Sequence, residues 1–219
     1  MKDKKINNPV ILVNPMDWGL GHATRCIPII TTLLKHKCNV IIAASGPGRI
    51  LLQEVFPGLL FPDLKGYNIR YGRSGWQLPF VLFVQLPKII STIYTEHKWL
   101  NKAVKEFSVD AVISDNRMGM FHQSVSSIYI THQLNIKTGS RLTDWLVRKM
   151  HYWFINKFSG CWVPDSKGEI NLSGDLSHPL AMPGIPVKYI GALSGFKRYP
   201  AEKKYDIAVI LSGPEPQRT

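Results

Sequence analysis

The sequence predicts a doubly wound, parallel α/β sheet, and three observations carry that prediction. Short apolar runs rich in β-branched residues recur along the chain, and longer helix-like segments separate them. Polar or glycine-rich stretches follow the predicted strands, at the edge where open α/β sheets bind their ligands. Continuous apolar strands of this kind are buried on both faces, which is the parallel arrangement with helices above and below.

Each element follows in order. PVILVN is a first strand ending at Asn14, and residues 25–36 form a helix with Pro28 in its first turn, where a missing N–H costs nothing. NVIIAAS is a second strand closed by Gly46-Pro47-Gly48, and RILLQEVF is a helix stopped by Pro57-Gly58. The stretch from Leu78 to Phe107 is a long helical zone that Pro87 kinks or splits. DAVISD and SSIYIT are strands, RLTDWLVRKMHYWFINKF is a helix, and GCWVPD and VKYIG are further strands. Residues 1–192 read as one Rossmann-like domain and 193–204 as a linker. Residues 205–219 read as a strand and turn that open a second, truncated α/β domain.

Composition narrows the function classes. Of 219 residues 45% are apolar and 19% charged, a globular balance. Cys26, Cys38 and Cys161 are far apart with no C-x-x-C pair, so neither a zinc site nor a disulfide framework is implied. The apolar run Val10–Val13 is too short for a signal peptide, and Leu78–Ile90 is interrupted by Pro79, Gln85, Pro87 and Lys88. A cytoplasmic location is therefore the default. The net charge of +12 is spread evenly along the chain and suggests an anionic partner. No nucleic-acid-binding motif accompanies it.

The chemistry-bearing residues gather at predicted strand ends. Gly19, Leu20, Gly21 and His22 follow the first strand and Ser45-Gly46 the second. Asp115-Asn116, His132-Gln133 and Asp165-Ser166 follow the third, fourth and fifth. Five such loops point to one crevice. Gly19-Leu20-Gly21 satisfies only the first half of a dinucleotide fingerprint, Thr24 stands where its third glycine belongs, and no acid ends the second strand. A nicotinamide cofactor is disfavoured, and none is expected. The glycines still let backbone N–H groups at a helix start meet an anion; the alternative is a tight turn without a ligand. His22 is a candidate general base with Asp17 or Asp115 as its orienting partner, or else a loop residue that only hydrogen-bonds. His132, Gln133 and Asn135 can bond sugar hydroxyls or phosphate, or can be a solvated loop. Asp-x-Asp, H-E-x-x-H and P-loop patterns are all missing, which argues against metal catalysis and P-loop hydrolysis. Two aromatic segments with interspersed cations, the second holding Trp145, Trp153 and Phe154 among Arg141, Arg148, Lys149 and Lys157, read either as a membrane-facing surface or as helices packed on the sheet.

Three landmarks give the chain a resemblance. WGLGH ends at His22 after the first strand, THQLN runs from Thr131 to Asn135, and ILSGPEPQRT closes the sequence. Together they resemble the N-terminal lobe of a GT-B glycosyltransferase of the family-28-like group, which includes the enzyme that forms lipid II. Two departures stand out: the family's Gly-Gly-x-Gly-Gly-His is thinned to WGLGH, and Gln133 stands in for the acid of the second motif.

The resemblance implies a two-lobed enzyme that needs no metal. An acceptor binds the N-terminal lobe, and a nucleotide-sugar donor, commonly UDP-linked, binds mainly the C-terminal lobe, here through Ser212 and Gly213. Gly19, Gly21 and the helix after them would face phosphate, His22 would deprotonate the acceptor hydroxyl, and the basic aromatic helices would dock on an anionic membrane. Two rivals remain. One is a non-hydrolysing UDP-sugar epimerase using Asp17, Asp115 and His132. The other is a non-catalytic lobe that binds anionic lipid or nucleic acid.

Overall fold

The computed structural model describes residues 8–67, 78–195, 200, 202, 204–207 and 209, with backbone alone for 78–83. Its elements run β1 (Val10–Pro15), α1 (Leu20–Lys35), β2 (Asn39–Ile42), α2 (Gly46–Val55), α3 (Leu78–Glu106), β3 (Ala111–Asp115), β4 (Ser126–Ile130), α4 (Arg141–Ile155), β5 (Gly160–Val163) and β6 (Val187–Tyr189). The six strands form one sheet in the order β2-β1-β3-β4-β5-β6, and every pair is parallel. All the strands expected from the sequence are present in 8–195. The expected opening of a second domain falls almost wholly outside the described residues.

The alternation along each strand explains the layers. Ile11, Val13, Ile42, Ile113 and Ile130 pack on one face with Cys26, Ile29 and Ile30 of α1 and Leu52 of α2. Leu12, Ile41 and Val112 point the other way and meet Leu100 of α3. Tyr129, Cys161 and Val163 continue that second face beneath Ile155 at the end of α4. Each fully buried aliphatic side chain in these layers contributes about 1.5–3 kcal/mol. That gain fixes the register, because a one-residue slip would exchange the two faces.

Three sequence expectations are corrected here. The first helix starts at Leu20 and not near Arg25, so Gly21 and His22 lie in its first turn. Gly19 makes the early start feasible: at φ 77° it turns the chain straight from the strand end into the helix. Consequently Pro28 sits inside the helix, where it removes the bond that the Thr24 carbonyl would accept. Lastly, of the two effects expected of Pro87, a split is ruled out: α3 runs unbroken from Leu78 to Glu106 with the proline inside it.

α4 turns its apolar residues outward. Leu142, Trp145, Leu146, Met150 and Trp153 are all exposed, and they fall at helical spacing along one stripe. The opposite side carries the buried His151 and Ile155. Lys149 covers Trp145, and Lys157 lies 3.9 Å from the ring centre of Trp153. Among the described residues no helix is long and apolar enough to cross a membrane.

Candidate active site

The strand order reverses direction between β1 and β3. Chain runs outward from β1 to β2, then returns across β1 to β3, and the strand ends open a crevice at that switch point. The β1–β3 register sets Pro15 beside Asp115, and the Met16 N–H donates to the Asp115 carbonyl at 3.0 Å. Asp115, the last residue of β3, is completely buried. A carboxylate there needs paired charge or donors, and α1 supplies both.

Residues three apart on a helix share a face, so the first turns of α1 present His22 and Arg25 together. Arg25 grips Asp115 with a fork: Nε donates to Oδ2 at 3.0 Å and Nη2 to Oδ1 at 2.6 Å. Nη2 also lies 2.7 Å from Nδ1 of His22, and Nη1 lies 3.0 Å from Nδ1 of His132. Nδ1 of His22 is 3.2 Å from Oδ2 of Asp115. His132 follows β4, and burial first, then the charges of Arg25 and His22, lower its pKa. One guanidinium thus joins a buried carboxylate to two imidazoles. Arg25 and His132 of this group line a cleft of about 310 Å³ together with Gly21, Thr24, Pro164 and Ser173.

The loop across the cleft is anchored by a second buried carboxylate. Asp165, after β5, accepts from the N–H groups of Ser166, Leu172 and Ser173 and from the Ser177 hydroxyl. Burial pushes its pKa up, but those bonds outweigh burial and hold it well below the ordinary carboxylate range. On the far side of the β1–β3 junction, Arg117 and Glu96 form a buried pair at 2.6 Å. Arg117 also donates to the carbonyls of Pro15 and Lys65, and Tyr67 donates to Glu96. Burial leads the rise in the Glu96 pKa, opposed by Arg117 and Tyr67. This network fixes the backbone that leads into the site.

The sequence-predicted residues separate into those the site gathers and those it does not. His22, Asp115 and His132 meet through Arg25, and Gly21 lines the cleft beside them. Nothing lies within 4 Å of a β-carbon built on Gly21, so its face is open to a ligand. Gly19 is the helix N-cap and Leu20 is half exposed at the helix start. Asp17 accepts from the Tyr67 N–H at 3.2 Å and packs so tightly on Gly66 that a side chain there would overlap it. Of the two acids considered for His22, Asp115 is thus the one with a described bond to it. Asn116 adopts φ 59° and bonds through its N–H to Ile130 of β4. Gln133 is exposed, while Asn135 bonds to Leu176 and Asp175 and so braces the Gly174–Leu176 turn. Ser212 and Gly213 lie outside the described residues. Among the described residues no three His, Cys, Asp or Glu side chains form a metal-ligand set.

Arg25 is the residue that sequence reading missed. Its signal was present as the three-residue spacing from His22, which becomes meaningful only once the helix is known to start at Leu20. Glu96 and Arg117 gave no such signal, because their pairing joins segments distant in sequence.

Comparison with solved structures assigns the fold. No family model matches the chain, and no curated protein does. A UDP-glucosyltransferase from Polygonum tinctorium that glucosylates indoxyl is similar over 89% of this chain and 55% of its own length, with a TM-score of 0.55 at 13% identity. UGT2 of Phytolacca americana, complexed with UDP-2-fluoro-glucose and pterostilbene, is similar over 84% of this chain and 54% of its own length, with a TM-score of 0.51 at 12% identity. MurG of Acinetobacter baumannii overlaps 74% of this chain and 42% of its own length, with a TM-score of 0.42 at 12% identity. The chain spans about half the length of the solved structures it matches. It has the Rossmann-like architecture of one lobe of a GT-B glycosyltransferase.

Proposed function

We propose that residues 1–192 are the acceptor-binding lobe of a glycosyltransferase that transfers a sugar from a UDP-linked donor to an acceptor hydroxyl without metal. The observation that carries this reading is the His22–Asp115 contact at the switch-point crevice, beside an open cleft. In the reacting arrangement Asp115 accepts the Nδ1–H of His22, and Nε2 takes the proton of the acceptor hydroxyl. The acceptor oxygen bonds to the anomeric carbon as that carbon's bond to the donor diphosphate breaks. The diphosphate leaves with the electron pair, and N–H groups at the start of α1 contribute to stabilising charge on a neighbouring phosphate. Residues 193–204 serve as the linker. The donor half, opening with Ser212 and Gly213, holds the nucleotide sugar and is needed for turnover.

The outward stripe of α4 favours a finer reading: a lipid-linked acceptor of the cell-envelope kind, met at the cytoplasmic face of an anionic membrane. A two-lobed protein carrying this chain, given UDP- and GDP-sugars, lipid extract and EDTA, tests the whole proposal. Sugar transfer is expected, with a loss of about 10²–10⁴-fold on His22→Ala. Conversion of the UDP-sugar without any acceptor would replace transfer with epimerisation, and no consumption of any donor would leave a binding lobe.

A further inference from the structure

Arg25 and Asp115 compete for one nitrogen. Nδ1 of His22 lies 2.7 Å from Nη2 of Arg25 and 3.2 Å from Oδ2 of Asp115. A guanidinium can only donate and an ionised carboxylate can only accept. Nδ1 therefore serves one of them at a time, as a lone pair toward Arg25 or as an N–H toward Asp115. The shorter contact belongs to Arg25, and a neutral imidazole so held carries its proton on Nε2. In that tautomer Nε2 has no lone pair with which to take a proton. The arrangement of this structure is thus a resting one for a base.

The same guanidinium has reason to move. The hydrogen bonds described use four of its five N–H groups, on Asp115, His22 and His132. Arg25 remains 14% exposed and lines the cleft with Gly21 and Ser173. A phosphate or diphosphate oxygen is a stronger acceptor for a guanidinium than a neutral imidazole nitrogen is. We propose that Arg25 is a positioning residue that sets the tautomer of His22 in response to an anionic phosphate group in the cleft. The anion draws Nη2 away from Nδ1. His22 then exchanges its proton with water, losing it at Nε2 and gaining it at Nδ1 with no net change of charge. Asp115 accepts the new Nδ1–H, and the Nε2 lone pair becomes available. The base is armed only when phosphate has arrived, which guards against unproductive proton transfer. This inference rests on the reading of His22 as the base.

The test is nitrogen-15 NMR of histidine-labelled full chain, at a pH where imidazole is neutral, titrated with inorganic diphosphate. A His22→Gln spectrum assigns the resonance. Without diphosphate the pyridine-type nitrogen of His22 is expected at Nδ1, and saturating diphosphate moves it to Nε2. In Arg25→Ala it is at Nε2 from the start and does not respond. Arg25→Lys, which keeps a charge beside Asp115 and lacks the fork, gives the same result should the alanine variant not fold. Pyridine-type Nε2 in the wild type before any addition overturns the proposal, as does indifference to diphosphate. An equal response to sodium chloride of matched ionic strength also overturns it, since screening alone would then suffice. The readout does not require turnover. A tautomer switch here, with sugar transfer unimpaired by His22→Ala in the two-lobed protein, would sink the His22 reading alone, and transfer that needs His22 without a switch would sink the Arg25 proposal alone.

Discussion

Asp115 shows how one buried side chain can organise a site. Its carboxylate has no exposure, and the fork from Arg25 supplies the paired charge and donors that a buried carboxylate needs. Elsewhere the same desolvation acts without a partner charge. His151, in α4, is nearly as buried, and its only described bond is a long one, 3.4 Å, to the Tyr129 hydroxyl. Burial pushes its pKa down to about 4. In the unfolded chain the ring titrates near 6.5, so between those values the unfolded state binds more protons than the folded one. Stability is therefore full above about pH 6.5 and falls as pH drops toward 4, by about 3 kcal/mol for a shift of this size. Urea unfolding measured from pH 7 to pH 4 should show that slope, and His151→Leu should flatten it. An unchanged slope in the variant would assign the acid sensitivity to other groups. Neither the shift nor its cause was legible in the sequence, since a histidine among aromatics carries no mark of its burial.

At the scale of elements, the sequence was most informative where chemistry is periodic. The β-branched runs marked all six strands, because strands covered on both faces are mostly apolar, with polar residues confined mainly to their ends. Helix starts were less legible. A proline near an expected boundary looks like a first-turn residue, and only the backbone angle of Gly19 reveals that α1 began earlier. This error makes a prediction. Pro28 within α1 forfeits one backbone bond at a cost of about 3 kcal/mol relative to alanine. Its rigidity returns about 1 kcal/mol through the unfolded chain. Pro28→Ala should therefore stabilise the protein by about 2 kcal/mol, read as a raised midpoint in urea. No gain would mean that the helix has already adjusted around the ring. The site itself was legible in part for the same reason. His22, Asp115 and His132 sit at strand ends or just after glycine, where pattern marks them. Arg25 lies inside what reads as ordinary amphipathic helix.

At the scale of the molecule, the charge of +12 and the outward stripe of α4 belong to one argument. Dispersed cations alone would give weak, salt-sensitive attraction to any anionic surface. The stripe adds direction, because Leu142, Trp145, Leu146, Met150 and Trp153 share one face with Lys149 and Lys157 held over two of its indoles. Apolar contact and headgroup attraction would then act through the same helix. Sedimentation with phosphatidylcholine vesicles containing phosphatidylglycerol should carry the protein down, and vesicles of phosphatidylcholine alone should carry far less. Lys149→Gln with Lys157→Gln removes two headgroup partners worth about 1 kcal/mol each, or roughly thirtyfold in partitioning. Trp145→Glu with Trp153→Glu should abolish binding at any salt, since it places charge in the apolar contact. If the glutamate pair sediments like the wild type, α4 is not the docking face and the positive charge serves the cleft instead.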